Sequence, residues 1–143
     1  MAISQGMANS FKVQLLNGQH NFTSNTFKLA LYTSSATLDE NTTAYSATNE
    51  VPSTGNYSAG GNTLTVSVTP TNTGNVAFLS FANTSWANAT ITANGALIYN
   101  ANLSNAAVCV LAFGGDKTST NGTFAVNFPT ADASNAIIRL TAS

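Results

Sequence analysis

Charge is nearly absent from this sequence. Its 143 residues hold four Lys plus Arg and five Asp plus Glu, 6% in all, against about 25% in an ordinary soluble domain. Four cations leave no electrostatic footprint for nucleic acid, whose affinity comes largely from neutralised phosphates. Nor can they form a polybasic patch for an anionic membrane surface. Five acids supply few general acids, bases or metal ligands. There is one cysteine, so no internal disulfide can form. Cys109 sits in the apolar run AAVCVLAF and reads as a small buried thiol rather than a nucleophile. No run approaches the ~18 apolar residues of a membrane span. The start, MAISQGMANSFKVQLLNGQ, lacks a charged stretch followed by an apolar one, so no signal peptide is expected.

Asn, Thr, Ser, Gly and Ala fill the place of the missing charges. A surface of this kind suits a chain that packs permanently against other protein, because no ions need desolvating. Recurrent Asn-x-Ser/Thr triplets follow from the composition and carry little weight as glycosylation signals.

Met7, Phe11 and Leu15 recur at helical spacing, with Ser4 as a cap and Asn17-Gly18 as a stop. They predict one amphipathic helix over about residues 5–17. Such a helix is short enough to need a partner, either the sheet of its own domain or a neighbouring subunit. After His20 the period changes to two. FKLALY alternates as a half-buried strand. Ser34 to Asn62 is then a long polar stretch with PSTG and SAGG, read as a loop. Loops of this length are often functional or ordered by a partner.

From Thr63 the rhythm is strand and turn: TLTVSVTP, a turn at NTGN, VAFLSFAN as a central strand, SWANATITA, a turn at Asn94-Gly95, ALIYNAN, AAVCVLAF, TFAVNFP and NAIIRLTA. Seven or eight short strands predict a mainly β fold. The expected architecture is an antiparallel β-sandwich, jelly-roll-like or immunoglobulin-like, with one short N-terminal helix. The whole chain reads as one domain, with residues 1–19 helical and 34–62 a loop.

GGDKTSTNG, Gly114 to Gly122, superficially suggests a phosphate loop. A phosphate loop needs glycine before the lysine and a helix after it. Here Asp116 precedes Lys117 and an alternating apolar run follows, so the stretch is expected to join two strands. Asp116 and Lys117 would pair with each other or with a partner. His20 has no second ligand or nucleophile near it in sequence and is expected at the surface or the helix end. The pair of carboxylates a glycosidase needs could be drawn from Asp39, Glu40, Glu50, Asp116 and Asp132, but no spacing selects two. Trp86, Tyr32, Tyr45, Tyr57 and Tyr99 could stack on a sugar; in a sandwich of this size they are more often core. No catalytic residue, cofactor or metal site is expected.

FKLALYTSSATL, SAGGNTLT, FANTSWANATITANGALIYN, VLAFGGDKTSTNGTFAVNFP and IIRLTA, in order and spanning nearly the whole chain, resemble a family of small virion structural proteins of tailed bacteriophages. The resemblance implies a capsid decoration (cement) protein. It would be made in the host cytoplasm and sit on the capsid surface of the virion. It would be a homotrimer bridging copies of the major capsid protein, with no nucleic-acid or membrane partner. The contacts would come from the N-terminal segment and the long loop, with Phe11, Tyr45, Glu50, Asn56 and Tyr57 as anchors. The alternative is that both segments only cover their own sheet. Rival functions are a tail or fibre module binding host glycan through Trp86 and the tyrosines, and a glycan hydrolase.

Overall fold

A computed structural model describes residues 2–141. Met1, which opens the expected N-terminal segment, and Ala142, which ends the last expected strand, lie outside the described residues. The elements are β1 (Gly6–Met7), α1 (Asn9–Leu16), β2 (Phe27–Tyr32), β3 (Asn62–Thr63), β4 (Val66–Thr73), β5 (Val76–Phe81), β6 (Thr84–Asn100), β7 (Ala106–Val126) and β8 (Ile138–Thr141). They form a five-stranded sheet, β1-β7-β6-β2-β3, and a three-stranded sheet, β4-β5-β8. Every strand pairing is antiparallel. The fold is mainly β, sandwich-like, with one short helix, as the pattern of alternation predicts.

β2 and the inner halves of β6 and β7 carry the core. Leu29, Ala30, Leu31, Ala96, Leu97, Ile98, Val108 and Val110 are all fully buried. These strands are covered on both faces, which is why their sequences are continuous apolar runs rather than alternations. The small sheet joins this core through Leu79, Phe81 and Ile138. The ring of Phe81 lies 6.0 Å from that of Phe27 and 6.3 Å from that of Phe22. β5 is central in its sheet, as its two-sided apolar sequence predicts. Pro70 falls on edge strand β4, between the paired residues Val68 and Thr71 where the register shifts. A missing N–H is tolerated at such a position.

Two expected turns are absent. Asn94-Gly95 lies inside β6, with Gly95 opposite Ala112. A Cβ on Gly95 would come 2.6 Å from the Leu111 carbonyl oxygen. The glycine therefore serves close backbone approach, not a reversal. GGDKTSTNG is likewise no connector. It runs within β7, with Lys117 opposite Ala93, Thr118 opposite Thr92 and Gly122 opposite Ala89. Between Ala93 and Gly95 β6 spends only Asn94, whereas β7 spends Phe113 to Asp116. That bulge absorbs the glycine pair, and Asn94 donates to the Asp116 carboxylate at 3.0 Å. The β6–β7 hairpin is consequently one long ribbon, not four short strands.

The helix is shorter than the apolar spacing predicts. Met7 is in β1, opposite Cys109, and Ser4 gives its N–H to the Leu38 carbonyl rather than capping a helix. Ala8 occupies the N-cap without a side-chain cap. The stop is as expected. Gly18 N–H bonds Leu15 O at 3.1 Å and Gln19 N–H bonds Gln14 O at 2.9 Å, a Schellman closure. Phe11 docks the helix on its own domain and is fully buried, while Leu16 is 90% exposed and Val13 61%.

Candidate functional site: the long loop and its buried carboxylate

Residues 34–61 form no named strand, as the polar sequence predicts, yet they are fixed along their length. Leu38 exchanges backbone bonds with Ala2 and Ser4. Glu40 O accepts from Asn9 N–H, and Thr43 O from Ala107 N–H. Tyr45 N–H donates to Asn105 O, and Val51 N–H to Leu31 O. Ala36, Leu38, Val51 and Tyr57 bury their side chains.

The loop is held from inside by Glu50, a buried residue facing Tyr32 in an antiparallel bridge. Its Oε1 accepts from the Tyr45 hydroxyl at 2.6 Å. Its Oε2 accepts from the Tyr57 hydroxyl at 2.5 Å and from Gly60 N–H at 2.7 Å. Tyr57 in turn accepts Leu31 N–H at 2.9 Å. Tyr99 donates to Gly60 O at 2.7 Å, and Tyr32 to Ser46 O at 2.6 Å. All four tyrosines of the chain are thus spent tying the loop to β2 and β6. The rings of Tyr45 and Tyr99 stack at 4.7 Å. Burial is the first cause of the raised ionisation of each phenol. Tyr99 is pushed up to about 12, and Tyr32, Tyr45 and Tyr57 higher still, with Glu50's hydrogen bonds adding to the shift at Tyr45 and Tyr57.

A second polar node closes the other side of the core. His20 lies just past the end of α1, one of the two places expected for it, but it is buried rather than exposed, with its ring 4.8 Å from that of Phe11. Asn102 N–H donates to Asn100 Oδ1 at 2.9 Å, which leaves the Asn100 amide to donate to His20 Nδ1 at 3.1 Å and Asn25 Oδ1 at 3.0 Å. His20 Nε2 therefore carries the proton and donates to Gln14 Oε1 at 2.9 Å. Burial lowers its pKa. Both ring nitrogens are engaged, so the ring serves the fold.

Of the predicted contact residues, Phe11, Glu50 and Tyr57 lie in the interior of this chain and Tyr45 is half-buried. Asn56 is exposed, at φ 70°, and donates to Asn88 O at 2.8 Å. Phe11 serves to dock α1 on its own domain, and the loop covers its own sheet with Glu50 and Tyr57. Trp86 is buried as well, its ring 5.6 Å from Tyr57 and 6.3 Å from Phe124. It belongs to the core, as do Tyr32 and Tyr99. The acids are taken up separately. Asp39 accepts from Asn41 N–H at 2.8 Å, and Asp116 binds Asn94. Asp132 is held below the usual carboxylate range, first by the Asn135 side chain and then by Ser134 N–H. No ion pair joins Asp116 to Lys117 among the described residues. Nor do three or more His, Cys, Asp or Glu there converge as metal ligands.

Of the surface clefts among the described residues, one borders the loop, one borders the end of α1, and another, of about 410 Å³, lies on β7 beside Phe113 and Phe124. The first, of about 500 Å³, lies between the loop and the end of β2, lined by Tyr32 and by loop residues that include Ser35, Asp39, Asn41, Thr43 and Asn49. The second, of about 340 Å³, is mainly apolar and lies between the end of α1 and the small sheet. Leu15, Phe22, Phe78, Leu79, Ile138 and Leu140 supply half of its lining residues. Sequence reasoning did not foresee these clefts, or the convergence on Glu50. No family model, curated protein or solved structure matches the chain.

Proposed function

We propose that this chain is a virion structural protein of the capsid decoration type, acting by adhesion to a shell of major capsid protein. The observation that best supports this reading is the exposure of large apolar side chains on α1 and β8, with an apolar cleft of uncharged lining beside Leu15. Leu16 and Val13 stand 90% and 61% exposed, and Leu140, 47% exposed, rims the apolar cleft beside Leu15. No Lys, Arg, Asp or Glu lines that cleft. Large apolar side chains left in water by a lone subunit are what an interface would cover. With Phe11, Glu50 and Tyr57 buried, the proposed contacts pass to this surface, with Tyr45 and Asn56 as the exposed parts of the loop. Binding only to the assembled shell would stabilise it by mass action. A homotrimer around a local symmetry axis of the capsid is the arrangement that the resemblance favours.

The test is cosedimentation with capsids that lack the protein. Saturable binding at many copies per particle is expected. Leu16→Glu and Val13→Glu should remove it while leaving the fold intact, because both positions are exposed. No binding, or a handful of copies per particle, would overturn the assignment.

A further inference from the structure

We propose that the cleft between the long loop and the end of β2 is a binding site for an uncharged saccharide. The inference is independent of capsid binding and rests on three observations. The first is shape. About 500 Å³ falls inside the ~300–1,000 Å³ span of small-molecule sites.

The second is preorganisation. The walls are tied to three separate elements: to residues 2–4 through Leu38, to α1 through Glu40 O and Asn9 N–H, and to β7 through Thr43 O and Ala107 N–H. Internal turns fix the rest. Asp39 N–H donates to Thr42 Oγ1 at 3.0 Å, Thr48 N–H to Ser46 Oγ at 3.2 Å, and Asn49 Nδ2 to Ser35 O at 3.1 Å. A loop ordered in advance loses little entropy when a ligand arrives.

The third is chemistry. The lining offers hydroxyls and amides around one charged group, Asp39, whose Oδ1 accepts from Asn41 N–H. Oδ2 has no partner among the described residues. Adjacent hydroxyls of a sugar ring can donate to that carboxylate while accepting from Thr43 and the neighbouring amides. An anionic ligand would face Asp39 with no Lys, Arg or His in the lining. An apolar ligand would take Asp39 Oδ2 and the exposed Thr43 hydroxyl out of water with nothing to bond, at a cost of about 1–3 kcal/mol each. A neutral polyol is the class that satisfies both.

The experiment is saturation-transfer NMR on the full chain. The probes are the methyl glycosides of glucose, galactose, mannose and N-acetylglucosamine, with sialic acid and glucuronate as anionic comparisons. At least one neutral glycoside should bind. Asp39→Asn, which keeps the acceptor for Asn41 N–H, should weaken it about tenfold, the worth of one charge-assisted hydrogen bond. Thr43→Val, a nearly isosteric change at an exposed position, should weaken it as well. The amide spectrum of each variant reports folding directly. Absence of signal from all four neutral probes overturns the proposal. So does equal or tighter binding of the acids, or binding that both folded variants retain unchanged.

Discussion

Removing the Glu50 side chain should be among the most destabilising single changes available outside the apolar core. Glu50→Ala deletes three hydrogen bonds at once, from Tyr45, Tyr57 and Gly60. Hydrogen bonds to charged groups contribute about 1.5–3 kcal/mol each when their partners are buried. The three are not additive, and Tyr45 is half-exposed, so its bond is discounted toward ~1 kcal/mol or less. The Gly60 N–H is the stiffest demand: a backbone donor cannot turn round to become an acceptor. A loss of about 3–5 kcal/mol follows, against a total stability of about 5–15 kcal/mol for a domain. Glu50→Gln should be much milder. The amide oxygen can take the Oε2 position, facing Tyr57 and Gly60, while its NH₂ donates to the Tyr45 hydroxyl, which rotates to accept. Two charge-assisted bonds become neutral ones, costing about 1–2 kcal/mol. Tyr57→Phe should fall between, at about 2–4 kcal/mol, because it also orphans the buried Leu31 N–H. Urea unfolding followed by fluorescence of Trp86, whose ring lies 5.6 Å from Tyr57, measures all three. A Glu50→Ala variant within ~0.5 kcal/mol of wild type, or a Gln variant as damaged as the Ala one, would refute the reasoning.

The remaining predictions concern single groups. Each tyrosine's folded pKa lies above its ordinary 10, with Tyr99 at about 12 and the other three higher. The folded state therefore holds protons that the unfolded state releases above pH ~10. This stabilisation is complete below the unfolded pKa and is lost as pH rises toward the folded values. Phenolate absorbance should lag pH 10 and rise together with unfolding; independent titration near 10 in the folded protein would contradict the network. His20 has the opposite sign. Its folded pKa lies below 6.5, so its contribution is present above that pH and lost as pH falls through the folded value. NMR titration of the ring should show a depressed midpoint, and an ordinary one would place the ring in solvent. Cys109, with its thiol pushed up to about 12 by burial, should resist thiol reagents in the native state and react in denaturant. Gly61→Ala should destabilise by more than ~2 kcal/mol in the same urea assay, since φ is +76° and a Cβ would stand 1.7 Å from Leu29 O; a neutral result would mean the loop crosses β2 elsewhere.

The sequence was most legible where burial is one-dimensional. Alternation located β2, although both of its faces are buried rather than one, a two-sided apolar run marked β5, the NTGN turn closed β4–β5, and the fold class followed. It failed where glycine has two uses. Asn94-Gly95 and Gly114-Gly115 have the composition of turns, but in the fold one permits close approach of strands and the other fills a bulge. Local chemistry is the same in both cases, and only the cross-strand partner distinguishes them. The helix was overextended because Met7 keeps the helical spacing while its backbone pairs with Cys109, a long-range contact that outweighs a weak local preference. The loop was recognised, but not what fills it. Tyr45, Glu50 and Tyr57 lie 5 and 7 residues apart, within reach of one another only after Gly60 and Gly61 fold the chain back onto β2. His20 stood alone in the sequence because neither partner is of a metal-ligating or nucleophilic type: Gln14 is six residues away, and Asn100 is brought to it from the end of β6.

In the role proposed for it, this chain would act through adhesion by a surface poor in charge. The most direct measurement is its binding isotherm on capsids lacking it, at low and at high salt. Screened ionic contacts weaken steeply as the Debye length shrinks from about 10 Å toward 3 Å, whereas apolar burial does not. Saturable, many-copy binding whose affinity holds or tightens at high salt is expected. Binding that collapses with salt, or none at either salt concentration, would contradict it.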